Sequence, residues 1–238
     1  MWFCFSVLVV HAEVFWQRDV IGESEHHRDI VVEQFGQGGD TIAILASIHG
    51  TETIGTPLLF RLSQELMSEA KYTESQTVLL CYVVNPDGFV AELRGNRNNI
   101  DLNRNFPTEN FGRGWFNGAD PMSAVETEVL YQFLAEYDPD RLLVIHQPLN
   151  GIDFDGKHSE ALAEHLSQSS DIRIKRLGSR SGSLGSYAGK MLEKEIITLE
   201  IPDYAQEKGS EWLWNKYEVF LNAFLLYPIQ PEEEIDIP

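Results

Sequence analysis

Cysteine is nearly absent: the 238 residues contain two, Cys4 and Cys81. Two isolated thiols build neither a disulfide framework nor a thiolate metal site, so cysteine usage does not fix the compartment. Cys81 lies in the apolar run V-L-L-C-Y-V-V and is expected to be a buried, inert thiol. Basic residues are the second shortage. Eighteen Lys and Arg face 37 Asp and Glu, a formal net charge of −19. That balance excludes nucleic acid and anionic membrane surfaces as general partners. It also repels an anionic ligand at long range, unless the few arginines are gathered at one place. The apolar stretch at the N-terminus, M-W-F-C-F-S-V-L-V-V-H-A, is far too short to cross a bilayer as a helix. Two readings of it compete. It ends in a V-H-A that a signal peptidase would accept, which would make the protein periplasmic or secreted, but it lacks a positive leading segment. The alternative, an N-terminal strand continuing through the alternating residues to Val20, is preferred, and with it a cytoplasmic location. No internal repeat is present.

Hydrophobic residues at 43% and charged residues at 23% describe a folded chain, and its length suits one domain. The expected organisation is an N-terminal strand or short signal over 1–20, a single folded unit over 21–228, and a solvated acidic tail, P-E-E-E-I-D-I-P, within 229–238. Inside the unit, buried-strand patterns alternate with helical ones. Strands are predicted at 41–48, 77–84, 141–145 and 196–201. Helices are predicted at 58–67 (capped by Thr56, with Pro57 in its first turn), from a Ser123–Glu126 capping box to about Tyr137, at 160–166, and from a Ser210 cap to about Leu226. This alternation predicts an α/β fold: a mostly parallel or mixed central sheet flanked by helices. In such sheets, sites form beyond the carboxyl ends of the strands. Residues 85–118, rich in Asn, Gly and Arg, read as one long irregular loop, and a loop of that length is usually functional.

Three polar residues fall at strand ends. His49 begins H-G-T-E, placing an imidazole and the Glu52 carboxylate three residues apart, on one side of a tight turn or first helical turn. Zinc accepts both donor types and, in catalytic sites, keeps three protein ligands plus an open position. Alone the pattern is weak, since such pairs are common on solvated surfaces. His146 ends another apolar run; a lone histidine there is more often a hydrogen-bonded interior residue than a ligand, but two strand-end histidines strengthen each other. Glu200 lies near the end of the last strand. The other histidines have no such placement.

The specific signal is Asn99–Pro107, N-I-D-L-N-R-N-F-P, preceded by Asn85-Pro86-Asp87-Gly88. Here the chain resembles the zinc carboxypeptidases, whose pattern runs H-x-x-E, N-P-D-G, D-x-N-R-N-F, a strand-end His and a strand Glu; all five occur in order over residues 49–200. Within that family it is most similar to the small bacterial murein peptide amidases, which carry related N-P-D-G, D-L-N-R-N-F-P and G-S segments, the last matched by Ser181–Ser186. The resemblance implies a zinc carboxypeptidase-like fold, one zinc per chain held by His49, Glu52 and His146, and Glu200 as general base. It implies that Asn103 and Arg104 grip a terminal carboxylate and that Arg94 stabilises the oxyanion, with Arg97 a rival for that role. The implied substrate is a small, murein-tripeptide-like peptide.

These roles agree with the chemistry. Zinc lowers the pKa of water enough for a carboxylate to deprotonate it. An arginine fork supplies the local positive charge that the rest of the chain lacks. The sequence departs from the digestive enzymes in one place: Arg176–Arg180 offers no tyrosine, and Tyr187 and Tyr204 cannot be carried over to that role. Arg180 instead suggests the reading of a second carboxylate, such as that of a diamino diacid. Two other classes compete with an amidase. One is a deacylase that removes succinyl or acetyl groups from amino acids. The other is a non-catalytic peptidoglycan-binding module, which would have no need of Glu200.

Overall fold

The computed structural model describes residues 14–228; the apolar run at 1–12, with Cys4, and the acidic tail from 229 lie outside the described residues. Seven strands form one sheet: β1 (Trp16–Glu23), β2 (Asp29–Phe35), β3 (Asp40–Ala46), β4 (Gln76–Cys81), β5 (Arg141–His146), β6 (Gly151–Asp155) and β7 (Glu195–Glu200), in the order β1-β2-β4-β3-β5-β7-β6. The four middle strands β4, β3, β5 and β7 are parallel. β1, β2 and β6 add antiparallel edges. The helices are α1 (Gly55–Ser68), α2 (Pro86–Ala91), α3 (Val125–Tyr137), α4 (Ser159–Ser170) and α5 (Ser210–Leu225).

The expected mixed α/β sheet follows from burial on both faces. Along β3, Ile42, Ile44 and Ala46 pack into a layer with Leu58, Leu62, Leu162, Phe220 and Phe224 from α1, α4 and α5. Ala43 and Leu45, pointing the other way, join Leu130 and Phe133 of α3 and Tyr187. A strand covered twice has to be apolar at every position, which is why the middle strands stand out in the sequence.

Several local expectations are corrected. Thr56 does not cap α1: its hydroxyl donates to Tyr82 O at 2.8 Å and pairs with Ser47, and Ile54 precedes the helix without a side-chain cap. The Ser123–Glu126 box does not form. Ser123 Oγ accepts from Asn105 Nδ2 at 3.0 Å, while Glu126 is engaged by Asn96 Nδ2 and Glu25 N. Gly209, at φ 81°, takes the cap position before α5, so Ser210 opens the helix instead of capping it. Nor is 85–118 wholly irregular: Asn85 caps α2 by accepting from Gly88 N at 2.8 Å, and Leu102–Arg104 form a 3-10 turn.

For the site, the arrangement of ends matters most. β3, β5 and β7 are adjacent and parallel, so the loop after β3 and the last residues of β5 and β7 meet at one end of the sheet. His146 and Glu200 are register partners there.

Candidate active site

Beyond β3 the chain turns sharply. Glu52 N donates to His49 O at 3.0 Å, making the tight turn that sets both side chains to one side. The turn is tight enough to need Gly50: a Cβ there would lie 2.0 Å from the Gly88 carbonyl carbon, so the H-G-T-E and N-P-D-G segments lock together through a missing side chain. His146, from the end of β5, completes a buried group with His49 and Glu52 whose donor atoms lie within 4.8 Å of one another.

Each member is oriented by a second contact. His49 Nε2 pairs with Asp101 Oδ1 at 2.9 Å. That leaves Nδ1, which sits 2.9 Å from Glu52 Oε1 but without hydrogen-bond geometry, as a buried nitrogen lacking a partner. Glu52 Oε2 meets His146 Nδ1 at 2.7 Å and accepts from Gln147 N at 3.1 Å. Glu52 Oε1 accepts from Arg94 at 2.6 Å, and Arg94 Nε also donates to Asp101 at 3.2 Å. Burial alone would raise the Glu52 carboxyl, but the imidazoles of His146 and His49 outweigh it and hold the group well below the ordinary range. Asp101 behaves alike: burial opposes, His49 and the nearby Arg94 and Arg104 prevail, and its pKa falls to about 2. The group fits a zinc ion: two imidazoles and an ionised carboxylate, an orphaned ring nitrogen beside the shared space, and a carboxylate partner fixing one ring's tautomer.

Around it lies a cavity of about 210 Å³ lined by Glu52, His146, Glu200, Arg94, Asn103, Arg104 and Arg180, among others. Glu200 is buried beside His146, and Leu149 N donates to its Oε2 at 3.2 Å. Burial pushes its carboxyl upward, partly offset by His146. A raised carboxyl is a stronger base than an ordinary one, as a proton-transfer group needs. Asn103 is fixed at both ends of its amide: Oδ1 accepts from Leu184 N at 2.8 Å, and Nδ2 lies 3.3 Å from His146 Nε2. The Arg104 guanidinium folds back to donate to Asn103 O. Its segment is braced by Gly182, where a Cβ would meet Arg104 O at 2.1 Å and φ is +64°. Arg94 lines the cavity, whereas Arg97 is exposed and not among its walls. Tyr187 is buried in aromatic packing with Phe106 and Tyr131, and Tyr204 flanks a neighbouring depression with Asp203.

Three contributions went unread in the sequence. Asp101 stands inside the N-R-N-F segment but carries no pattern that marks it as a histidine partner. Gln147 supplies a backbone donor, which leaves no trace in residue type. Asp153 and Asp155 also line the cavity, and their signal was available: G-I-D-F-D alternates with period two, as a half-buried strand does.

The chain matches the sequence model of the zinc carboxypeptidase family over residues 15–177. It is 34% identical over 186 residues to murein peptide amidase A of Escherichia coli strain K12, covering 71% of this chain and 74% of that protein. Its structure resembles that of the murein-tripeptide amidase from Escherichia coli O157, with TM-score 0.68 and 27% identity over 91% of this chain and 93% of the other. The carboxypeptidase A of Helicoverpa armigera shares the fold at TM-score 0.76 and 19% identity, over 92% of this chain and 70% of that one.

Proposed function

The chain belongs to the zinc carboxypeptidase family, and we propose that it is a one-zinc amidohydrolase cleaving the bond between γ-linked D-glutamate and meso-diaminopimelate in murein peptides. One observation carries the reading: Glu52 and His146, clustered with the buried His49, line a single cavity together with Glu200, Asn103 and three arginines in an otherwise strongly acidic protein. The likeness to two murein amidases supports the substrate class.

Zinc held by His49, Glu52 and His146 supplies a Lewis acid that polarises a carbonyl and lowers the pKa of water toward about 7. Glu200 takes the water's proton and returns it to the departing amine nitrogen; Leu149 N steadies one of its oxygens and leaves the other free to carry the proton. Arg94 stabilises the negative charge that develops on the carbonyl oxygen. Asn103 and Arg104 hold the carboxylate adjacent to the scissile amide, a fork geometry that matches two oxygens at once. Arg180, which also lines the cavity, takes the second carboxylate of the diamino diacid.

The test supplies L-Ala-γ-D-Glu-meso-diaminopimelate, an N-acyl amino acid and a hippuryl peptide to the zinc-loaded protein. The tripeptide is expected to give the highest kcat/KM. Faster turnover of the acyl amino acid would move the assignment to a deacylase. No turnover of any substrate would support the binding-module reading, against which the retained Glu200 stands.

A further inference from the structure

β6 runs antiparallel to β7 at the edge of the sheet, with Asp153 opposite Thr198 and Gly151 opposite Glu200. Side chains alternate along a strand. Ile152 and Phe154 enter the core layer of α4 and α5, so Asp153 and Asp155 turn to the other face, into the cavity that holds Glu200. Both aspartates are more than nine-tenths buried. A pair of buried carboxylates needs cations, and few are present. Asp153 Oδ1 accepts from Leu177 N at 3.1 Å. Among the described residues, the one cation within ion-pair distance of Asp153 is Arg176, at 3.8 Å; that guanidinium is half-exposed and stacked 3.7 Å over Phe154. Asp155 accepts from Ser179 Oγ and has no cation at that range among the described residues. Burial, with a smaller contribution from Asp155, pushes the Asp153 carboxyl upward, as expected for a carboxylate short of a counter-ion. Ser179 ties the loop carrying Arg180 to Asp155, and the start of the helical turn 185–191 packs against the same carboxylate, since a Cβ on Gly185 would lie 2.0 Å from Asp155 Oδ2. The cavity walls therefore carry Asn103, Arg104 and Arg180 together with the two acidic side chains of β6.

We propose that Asp153, backed by Asp155, binds the ammonium group at the far end of the substrate's diamino diacid, so that the cavity selects a distal zwitterion and not merely a distal carboxylate. The proposal rests on the murein-amidase reading and adds to it the group that separates diaminopimelate from a simple dicarboxylate. An unsatisfied buried acid rejects a substrate lacking the ammonium far more strongly than an apolar wall rejects a missing methylene.

The experiment uses zinc-loaded protein and four tripeptides, L-Ala-γ-D-Glu-X, with X as meso-diaminopimelate, 2-aminopimelate (no distal ammonium), lysine (no distal carboxylate) or norleucine (neither). The wild type is expected to prefer diaminopimelate over 2-aminopimelate, and lysine over norleucine, by about tenfold or more in kcat/KM. In Asp153→Asn, which keeps the acceptor for Leu177 N, both preferences should collapse to within about threefold, mostly through KM. Asp155→Asn should weaken them less. Zinc content and melting temperature are measured for each variant, and if one fails to fold, the other variant with the wild-type ratios decides. Equal rates on diaminopimelate and 2-aminopimelate would overturn the ammonium site while leaving the murein reading intact, as would an Asp153→Asn loss that is the same on all four peptides. If no γ-D-glutamyl peptide is cleaved but hippuryl peptides are, the murein reading fails separately. The site then stands or falls on a preference for hippuryl-lysine over hippuryl-norleucine that Asp153→Asn abolishes.

Discussion

His49 spends Nε2 on Asp101 and leaves Nδ1 free beside Glu52 and His146, a division of labour that suits a ligand better than a buried structural histidine. His49→Ala and His146→Ala should therefore each lose most of the roughly one zinc per chain expected in the wild type, as read by elemental analysis. Full occupancy in both would place the metal elsewhere. Glu200 is close to the triad but not part of it, so Glu200→Gln should keep zinc while lowering kcat by about 10²- to 10⁴-fold, the usual span for losing a general base. Near-normal kcat would remove it from that role. The two arginines separate kinetically. Arg104 is expected to bind a ground-state carboxylate, and Arg104→Ala should raise KM and erase the preference for the free acid over its amide-capped analogue. Arg94 is expected to act on charge that exists only in the transition state, so Arg94→Ala should lower kcat more than it raises KM. An unchanged acid-to-amide ratio in the Arg104 variant would contradict its assignment.

At the scale of elements, one amide ties the segment 101–106 to the start of α3. Asn105 Nδ2 donates to Asn117 O, Asp120 O and Ser123 Oγ, and its Oδ1 accepts from Ala124 N. These bonds tie the loop to the start of α3 just past the cavity-lining pair Asn103–Arg104. Asn105→Ala should cost about 1–3 kcal/mol by orphaning the buried Ala124 N–H and removing the buried amide that bridges the loop to α3. The loss should appear as a lower melting temperature, together with a raised KM as the Arg104 turn loosens. A lowered melting temperature with KM unchanged would show that the loop is only structural. The same side chain explains part of what the sequence concealed. Ser123 reads as a helix cap until Asn105 claims its hydroxyl, and Thr56 does so until Tyr82 O does. Caps are short-range signals that a long-range partner can outbid, whereas the buried parallel strands β3, β4, β5 and β7 announce themselves because both faces demand apolar residues. β1, with most of its residues exposed or half-exposed, makes no such demand, and β6 carries its function in the acidic residues that disguise it as loop. The candidate residues His49, Glu52, His146, Glu200, Asn103 and Arg104 were legible from spacing and motif. The partners Asp101 and Gln147 become visible only when separate strands and loops are brought to one end of the sheet.

Across the whole molecule, a formal charge of −19 surrounds a cavity bearing Arg94, Arg104 and Arg180. The tripeptide L-Ala-γ-D-Glu-meso-diaminopimelate carries three carboxylates and two ammonium groups near neutral pH, so protein and substrate repel each other at a distance and attract only near the arginines. Salt acts on the two ranges differently. The Debye length is about 10 Å at 0.1 M and about 30 Å at 0.01 M, so dilute salt first screens the long-range repulsion and reaches the partly enclosed arginine contacts last. Raising ionic strength from about 0.01 to 0.1 M should therefore increase kcat/KM for the tripeptide modestly, mainly through KM. The analogue with an amide in place of the D-glutamate α-carboxylate has no net charge and should show little change over the same range. Parallel measurement of the two slopes checks the argument without a mutation. A fall in kcat/KM for the tripeptide on first adding salt would mean that attraction at the cavity mouth, and not the acidic surface, governs encounter; equal slopes for both peptides would mean that salt acts on the protein and not on its approach to an anion.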